Sequence, residues 1–158
     1  MATLNFDTVF PAELIGEVRD IVVTDKDNTP NRALQKGMPW NVEVNWHVMG
    51  NGANTLGGQW HVQLNLESMG EGFEGKIAEK IKDYTAVEPP PASTPTHRHW
   101  KHLFENLDTK FLDPPINQGA EEGIFRLIVI ITYKDPFGSP AAMAGSLEGP
   151  LLTFYKAA

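Results

Sequence analysis

The chain contains no cysteine. This excludes thiol nucleophiles, Cys-ligated zinc, iron–sulfur clusters and disulfides together. It also lacks long apolar runs: the longest, Leu127 to Ile131, is the length of a strand and far short of a membrane span. Positive charge is sparse. Thirteen Lys and Arg stand against twenty Asp and Glu, for a net charge of -7, and the basic residues are scattered. Phosphate binding needs clustered cations, so nucleic acid and anionic membrane are poor partners for this chain. Residues Met1 to Pro11 hold neither the basic nor the apolar region of a signal peptide. Together with the missing cysteine, this predicts a cytoplasmic protein.

Catalytic signatures are missing as well. There is no Gly-x-Ser-x-Gly elbow, and Ser68, Ser93, Ser139 and Ser146 lie in turn-like or small-residue contexts. No glycine-rich phosphate loop leads into a helix; Gly50-x-Gly52 and Gly70-x-Gly72 follow strand patterns. Glu67, Glu71 and Glu74 could supply the paired carboxylates of glycosidic chemistry, but three acids in a turn are the ordinary mark of a solvated loop. The reading leans away from an enzyme and calls for no cofactor.

The strongest positive feature is a near-repeat. Trp40-Asn-Val-Glu-Val-Asn-Trp-His-Val-Met-Gly-Asn-Gly52 is followed by Trp60-His-Val-Gln-Leu-Asn-Leu-Glu-Ser-Met-Gly-Glu-Gly72. Both alternate apolar and polar residues with period two, which marks strands with one buried face. Trp40, Val42, Val44, Trp46 and Val48 form one apolar row, and Trp60, Val62, Leu64 and Leu66 the other. Further strands are predicted near Leu4–Phe10, Leu14–Thr24, Lys76–Val87, His99–Leu107, Ile124–Lys134 and Leu147–Tyr155. They are separated by turn formers such as Asp25 to Pro30, Gly57-Gly58 and Glu88 to Pro91. Phe73, Ile77 and Ile81 also fit a helix face, but Gly75 and the Lys76/Lys80 repulsion favour a strand. Ile124 to Tyr133 is apolar on both faces, as a central strand covered on both sides would be. At 158 residues this describes one domain, residues 1–158. The fold class is all-β: a two-layer antiparallel β-sandwich, with immunoglobulin-like topology.

Candidate sites follow from the polar residues. If the two Trp strands pair as a hairpin, His47 faces His61 and Asn45 faces Gln63. The outer face then carries Asn45, His47, His61, Gln63, Asn65 and Glu67 with no Lys or Arg. Neutral amides and imidazoles desolvate at less cost than charges, so such a face suits a partner subunit or a sugar. An immunoglobulin-like order would put the two strands in different sheets and break that pairing.

His97-Arg-His-Trp-Lys-His102 places His97 and His99 on one strand face, and with His102 they are candidate transition-metal ligands. The segment is similar to the first metal motif of cupins, a His-x-His pair followed by Glu. It departs from that motif at Pro95 and Thr96, where a Gly-led turn belongs, and at Glu105, one place too far. Asp25 and Asp27 have the oxygen spacing of a calcium loop, with Asp135 a third candidate. Pro30 and Lys36 occupy the places where an EF-hand needs Gly and Glu. At the C-terminus, Leu151–Tyr155 reads as an edge strand that either adds to another protomer's sheet or, the commoner outcome, closes its own sandwich.

These features predict a non-enzymatic β-sandwich module acting through protein–protein binding or homo-oligomeric assembly. One alternative is a carbohydrate or small polar ligand module stacking on Trp40, Trp60 or Trp100. The other is a His-ligated metal-dependent enzyme.

Overall fold

The computed structural model describes residues 4–5, 14–114, 123–137 and 140–157. The strands are β1 (Leu4–Asn5), β2 (Ile15–Thr24), β3 (Ala33–Gln35), β4 (Trp40–Met49), β5 (Gln59–Ser68), β6 (Glu74–Asp83), β7 (His97–Leu107), β8 (Gly123–Lys134) and β9 (Pro140–Tyr155). Two short 3₁₀ turns, Ala53–Thr55 and Lys110–Leu112, complete the regular structure of these residues. The chain is all-β, as its alternation predicts. The segment that also fits a helix face is strand, from Glu74 to Asp83 and ending short of the predicted Val87, with Gly75 at φ +151. Of the predicted Leu4–Phe10 strand, residues 6–10 lie outside the described residues.

The strands form a four-stranded sheet, β1-β2-β4-β7, and a five-stranded sheet, β3-β9-β8-β5-β6. Every pairing is antiparallel except β3 on β9. This is the immunoglobulin-like plan: β2, β4 and β7 lie in the order of strands A, B and E, and β9, β8, β5 and β6 in the order G, F, C and C′.

The core is built by the predicted rows. Trp40, Val42, Val44, Trp46 and Val48 from β4 meet Trp60, Val62, Leu64 and Leu66 from β5, all buried. Trp46, Trp60, Trp100, Tyr84 and Tyr133 make one aromatic cluster, with Trp46 and Trp100 stacked at 6.2 Å. Trp40, Phe111, Phe125 and Phe154 make a second, in edge-to-face contacts of 5.0–5.8 Å. Such rings each bury about 150–250 Å² and favour edge-to-face geometry through their quadrupoles. The indole N–H groups of Trp40 and Trp100 donate to the carbonyls of Asp108 and Tyr84, both at 3.0 Å.

Two expectations are corrected here. The two Trp strands do not form a hairpin. They lie in opposite sheets, so the 50–58 loop crosses the sandwich and the near-repeat reflects two inward faces meeting in the core. The Leu151–Tyr155 segment is not a free edge either. β3 pairs with it in parallel from Thr153 to Tyr155, and buried Leu34 anchors that short strand.

The central strand β8 is covered on one side only. Phe125, Leu127, Val129, Ile131 and Tyr133 are buried, whereas Ile128 and Ile130 are half-buried and Ile124 is 48% exposed.

Candidate functional site

The polar cluster of this molecule sits on the outer face of the four-stranded sheet, where alternation turns β4's Asn45 and His47 outward. β4 is flanked by β2 and β7, and the registers align Glu17, His47 and His99 in one row across the three strands. The next row is Ile15, Met49 and His97. His47 is the hub. Its Nδ1 lies 2.6 Å from His97 Nε2, and its ring stacks on that of His99 at 4.1 Å and 10°. At 2.6 Å, one of the two nitrogens holds a proton and the other accepts it.

A second chain of hydrogen bonds fixes His99. Asn45 Nδ2 donates to Glu43 Oε1 at 3.1 Å. That orients the amide so that its Oδ1 accepts from His99 Nε2 at 3.0 Å. His99 therefore carries its proton on Nε2 and leaves Nδ1 as a lone pair when neutral. Its backbone N–H is held by the buried Ser93 hydroxyl at 3.0 Å. On the β2 side, Glu17 takes the guanidinium of Arg19, and Arg19 Nη2 also donates to Met49 Sδ at 3.7 Å.

Burial sets the electrostatics of this face. Both Asn45 and His47 are only 8% exposed, although they face outward. Desolvation, followed by the nearby charges of His99, Arg19 and His97, lowers the His47 pKa from 6.5 to about 3. His99 moves in the same direction, again chiefly by burial, while Glu88 opposes the shift. Charging an imidazole without water around it is unfavourable, so the cluster is held neutral at its centre.

The expected site residues therefore fall into separate groups. Asn45 and His47 join His97 and His99 on one sheet. His61, Gln63, Asn65 and Glu67 lie on the outer face of the other sheet, where Gln63 donates to Asn65 at 3.0 Å and His61 pairs with Glu79 at 2.8 Å. His47 faces His99 in register, and His61 faces Thr132 on β8 and Ile81 on β6. His102 is on the opposite side of β7 from His97 and His99, edge-on to Phe104 at 4.6 Å; burial lowers its pKa. Among the described residues, no three His, Asp or Glu side chains converge as a metal's ligands would.

The calcium candidates close a turn. Asp25 Oδ1 accepts the backbone N–H groups of Asp27 and Thr29, and Oδ2 accepts Asn31 Nδ2. Asp27 pairs with Lys26. Asp135 is at the other end of the sandwich: it follows Lys134, which pairs with Pro140, whereas the Asp25 turn borders Tyr155 at the far end of β9. Glu67 and Glu74 face each other across the β5–β6 hairpin, and with Glu71 they are exposed. Trp40, Trp60 and Trp100 are all buried, so none offers a stacking surface for a sugar.

Concave surface gathers at one end of the sandwich. A depression of about 370 Å³ is bordered by Lys36, Met38, Asn106, Asp108 and Lys110. A neighbour of about 310 Å³ is bordered by Phe73, Ile77 and Phe111. Neither includes a histidine, and Lys36 is paired with Asp113 at 3.1 Å. No helix of the described residues is long and apolar enough to cross a membrane.

No family model matches the chain, and no curated protein matches it. Among solved structures it is similar to a β-glucosidase from Listeria innocua in complex with gluconolactone, at TM-score 0.47 and 13% identity. That match covers 90% of this chain and 16% of the other. The same enzyme in complex with glucose matches at TM-score 0.43 and 11% identity, over 90% and 16% of the two chains. This chain thus spans 16% of the length of the structures it matches.

Proposed function

We propose that this chain is a non-catalytic β-sandwich module that works by protein–protein contact, with a second copy of itself as the partner. The observation that carries the reading is the outer face of β8. A central strand of a five-stranded sheet places Ile124, Ile128 and Ile130 where its own chain leaves them partly exposed. Leu151, opposite Arg126, and Met69, whose N–H donates to the Ile124 carbonyl, extend the apolar stripe. Both are about half exposed, at 45% and 51%.

Around the stripe lie the neutral amides Gln63 and Asn65, then charges of both signs. Arg126 pairs with Glu148 at 3.2 Å, and Lys76 with Glu79 at 3.0 Å. An apolar centre with a polar rim is the anatomy of a protein interface. Because these charges are paired within the chain, the face presents no uncompensated charge of one sign to a copy of itself across a two-fold axis. The sugar-binding alternative loses its support with the burial of the Trp side chains.

Sedimentation velocity of tag-free protein over a wide concentration range tests the reading. A monomer–dimer equilibrium is expected, and it should disappear in the double variant Ile128→Lys/Ile130→Lys while the circular dichroism spectrum stays that of the parent. A monomer at every concentration, or a dimer indifferent to the double variant, would overturn it.

A further inference from the structure

We propose that the side of the sandwich between β6 and β7 docks an acidic, extended segment of a partner protein, with Lys80, Lys82 and His102 as its cationic lining. This surface runs along the edges of the two sheets and does not depend on the interface proposed for the β8 face. Three observations carry it.

First, the two sheets meet here through cations. β6 and β7 are edge strands of opposite sheets, and Lys82 Nζ of the one donates to the Lys101 carbonyl of the other at 2.5 Å. Register places Lys80 opposite Val62 and Lys82 opposite Trp60 on β5, and His102 opposite Val44 on β4. Those three partners are buried in the core. Directly paired residues share a face, so Lys80, Lys82 and His102 stand on the inner rows of their strands. Inner rows are ordinarily apolar, as Trp100 and Phe104 are on β7. Inward charges protect a sheet edge, but here both edges turn them toward one seam.

Second, these cations have no acid of their own. Lys76 pairs with Glu79, and Lys101 lies 3.9 Å from Glu88. Among the described residues, no ion pair reaches Lys80, Lys82 or His102. Burial, then the positive charges of Lys82 and Lys80, lowers the His102 pKa. Burial also lowers that of Lys82, against the pull of Glu88 and with the help of Lys80 and Lys101. Like charges are thus gathered on one side of a chain whose net charge is -7. A carboxylate entering the seam offsets that repulsion and favours the charged forms.

Third, the spacing fits. Lys80 and Lys82 are two residues apart on one strand, about 6.6–6.8 Å. Acidic side chains at alternate positions of an extended segment repeat at the same distance. Lys80 is exposed, and Lys82 and His102 are half-buried, so such a segment can reach them from solvent, side chain to side chain, without adding a strand. Nucleic acid suits the seam less well, because three cations in a short row allow few phosphate contacts.

The test is fluorescence anisotropy of a labelled peptide of alternating Glu and Thr, titrated with the tag-free protein. Saturable binding is expected, weakening as NaCl rises from about 0.05 to 0.3 M. It should be roughly tenfold weaker in Lys80→Gln/Lys82→Gln. Lys26→Gln, at an exposed lysine of the Asp25 turn, should bind as the parent does. Lys82 is half-buried and its replacement could disturb β6, so the parent supplies a readout independent of any variant. In its NMR spectrum the ring protons of His102 should shift as the peptide is added, while those of His47, on the outer face of the other sheet, stay in place. Absence of saturable binding, equal binding of a Lys–Thr peptide, undiminished binding in the double variant, or an unmoved His102 signal would each overturn the proposal. Tighter binding of a single-stranded oligonucleotide than of the peptide would overturn it too.

Discussion

His47 shows how a solvent-side position on a strand can become interior. Its ring is covered by His97, His99 and the Glu17–Arg19 pair, so it is neutral in the fold down to about pH 3 but takes a proton near 6.5 once unfolded. Between those values the unfolded chain binds more protons, and stability must fall as the pH falls. At pH 5 the loss from this residue is about 2 kcal/mol, from ~1.4 kcal/mol for each unit of separation. Urea midpoints of the parent should therefore drop between pH 7.5 and pH 5 more steeply than those of His47→Asn. Equal slopes would show that His47 is not the responsible group. The cluster itself was only half legible in the sequence. The His97-x-His99 spacing announced two rings on one face, because strand alternation is local. That the third ring would be His47, fifty residues earlier, depends on β4 pairing with β7, and no periodicity in either segment encodes the identity of its partner.

The connection from β4 to β5 carries the largest difference between pattern and fold. A Gly-rich loop after a strand suggests a hairpin, yet residues 50–58 pass from one sheet to the other and are tied down on the way. The Tyr84 hydroxyl donates to the buried carbonyl of Ala53 at 2.6 Å, and the Tyr133 hydroxyl donates to that of Gly57. Gly58 then turns with φ +90, and a Cβ there would lie 2.1 Å from the Lys134 carbonyl oxygen. Gly58→Ala should cost at least about 2 kcal/mol, from the left-handed backbone and a clash that neither main chain can relieve. Tyr84→Phe leaves the Ala53 carbonyl without its donor and should cost about 1–3 kcal/mol. Chemical denaturation measures both, and a change within 0.5 kcal/mol of zero for Gly58→Ala would show that the crossover can rearrange.

Elsewhere the alternation of β4, β5 and β8 was readable because each strand has a long, consistent inner row. β3 was not, since three residues with one buried Leu34 complete barely one period. The first half of β9 also escaped detection. Pro140 to Ser146 carries no apolar rhythm, and it is strand because β8 pairs with it, as in Ile130↔Ser146.

A β-sandwich can join another copy through its edges or through a face, and the β6 and β7 edges of this chain are guarded. β7 is bordered by Lys101, and its backbone carbonyl there already accepts Lys82 Nζ from β6 at 2.5 Å. β6 itself carries Lys76, Lys80 and Lys82, and lysines on an edge discourage strand addition. β3 covers the end of β9. The outer face of the five-stranded sheet is the larger opening. Four long strands at ~4.8 Å spacing and ten residues at ~3.3 Å give about 600 Å² per copy. Doubled, that reaches the lower bound of about 1,200 Å² for a specific interface.

The association proposed for this face has to overcome the net charge of -7 carried by each copy. Its centre is apolar, and its rim pairs are already satisfied within one chain. Salt then screens the repulsion between copies while leaving the apolar contact intact. The dimerisation constant should rise as NaCl goes from about 0.02 to 0.3 M, and then level off as the screening length falls below about 8 Å. Sedimentation equilibrium at a series of salt concentrations reads this directly. An assembly held by charges between copies would respond in the opposite sense. A constant that falls with salt would therefore move the interface away from the Ile124–Ile130 stripe and onto charged pairs.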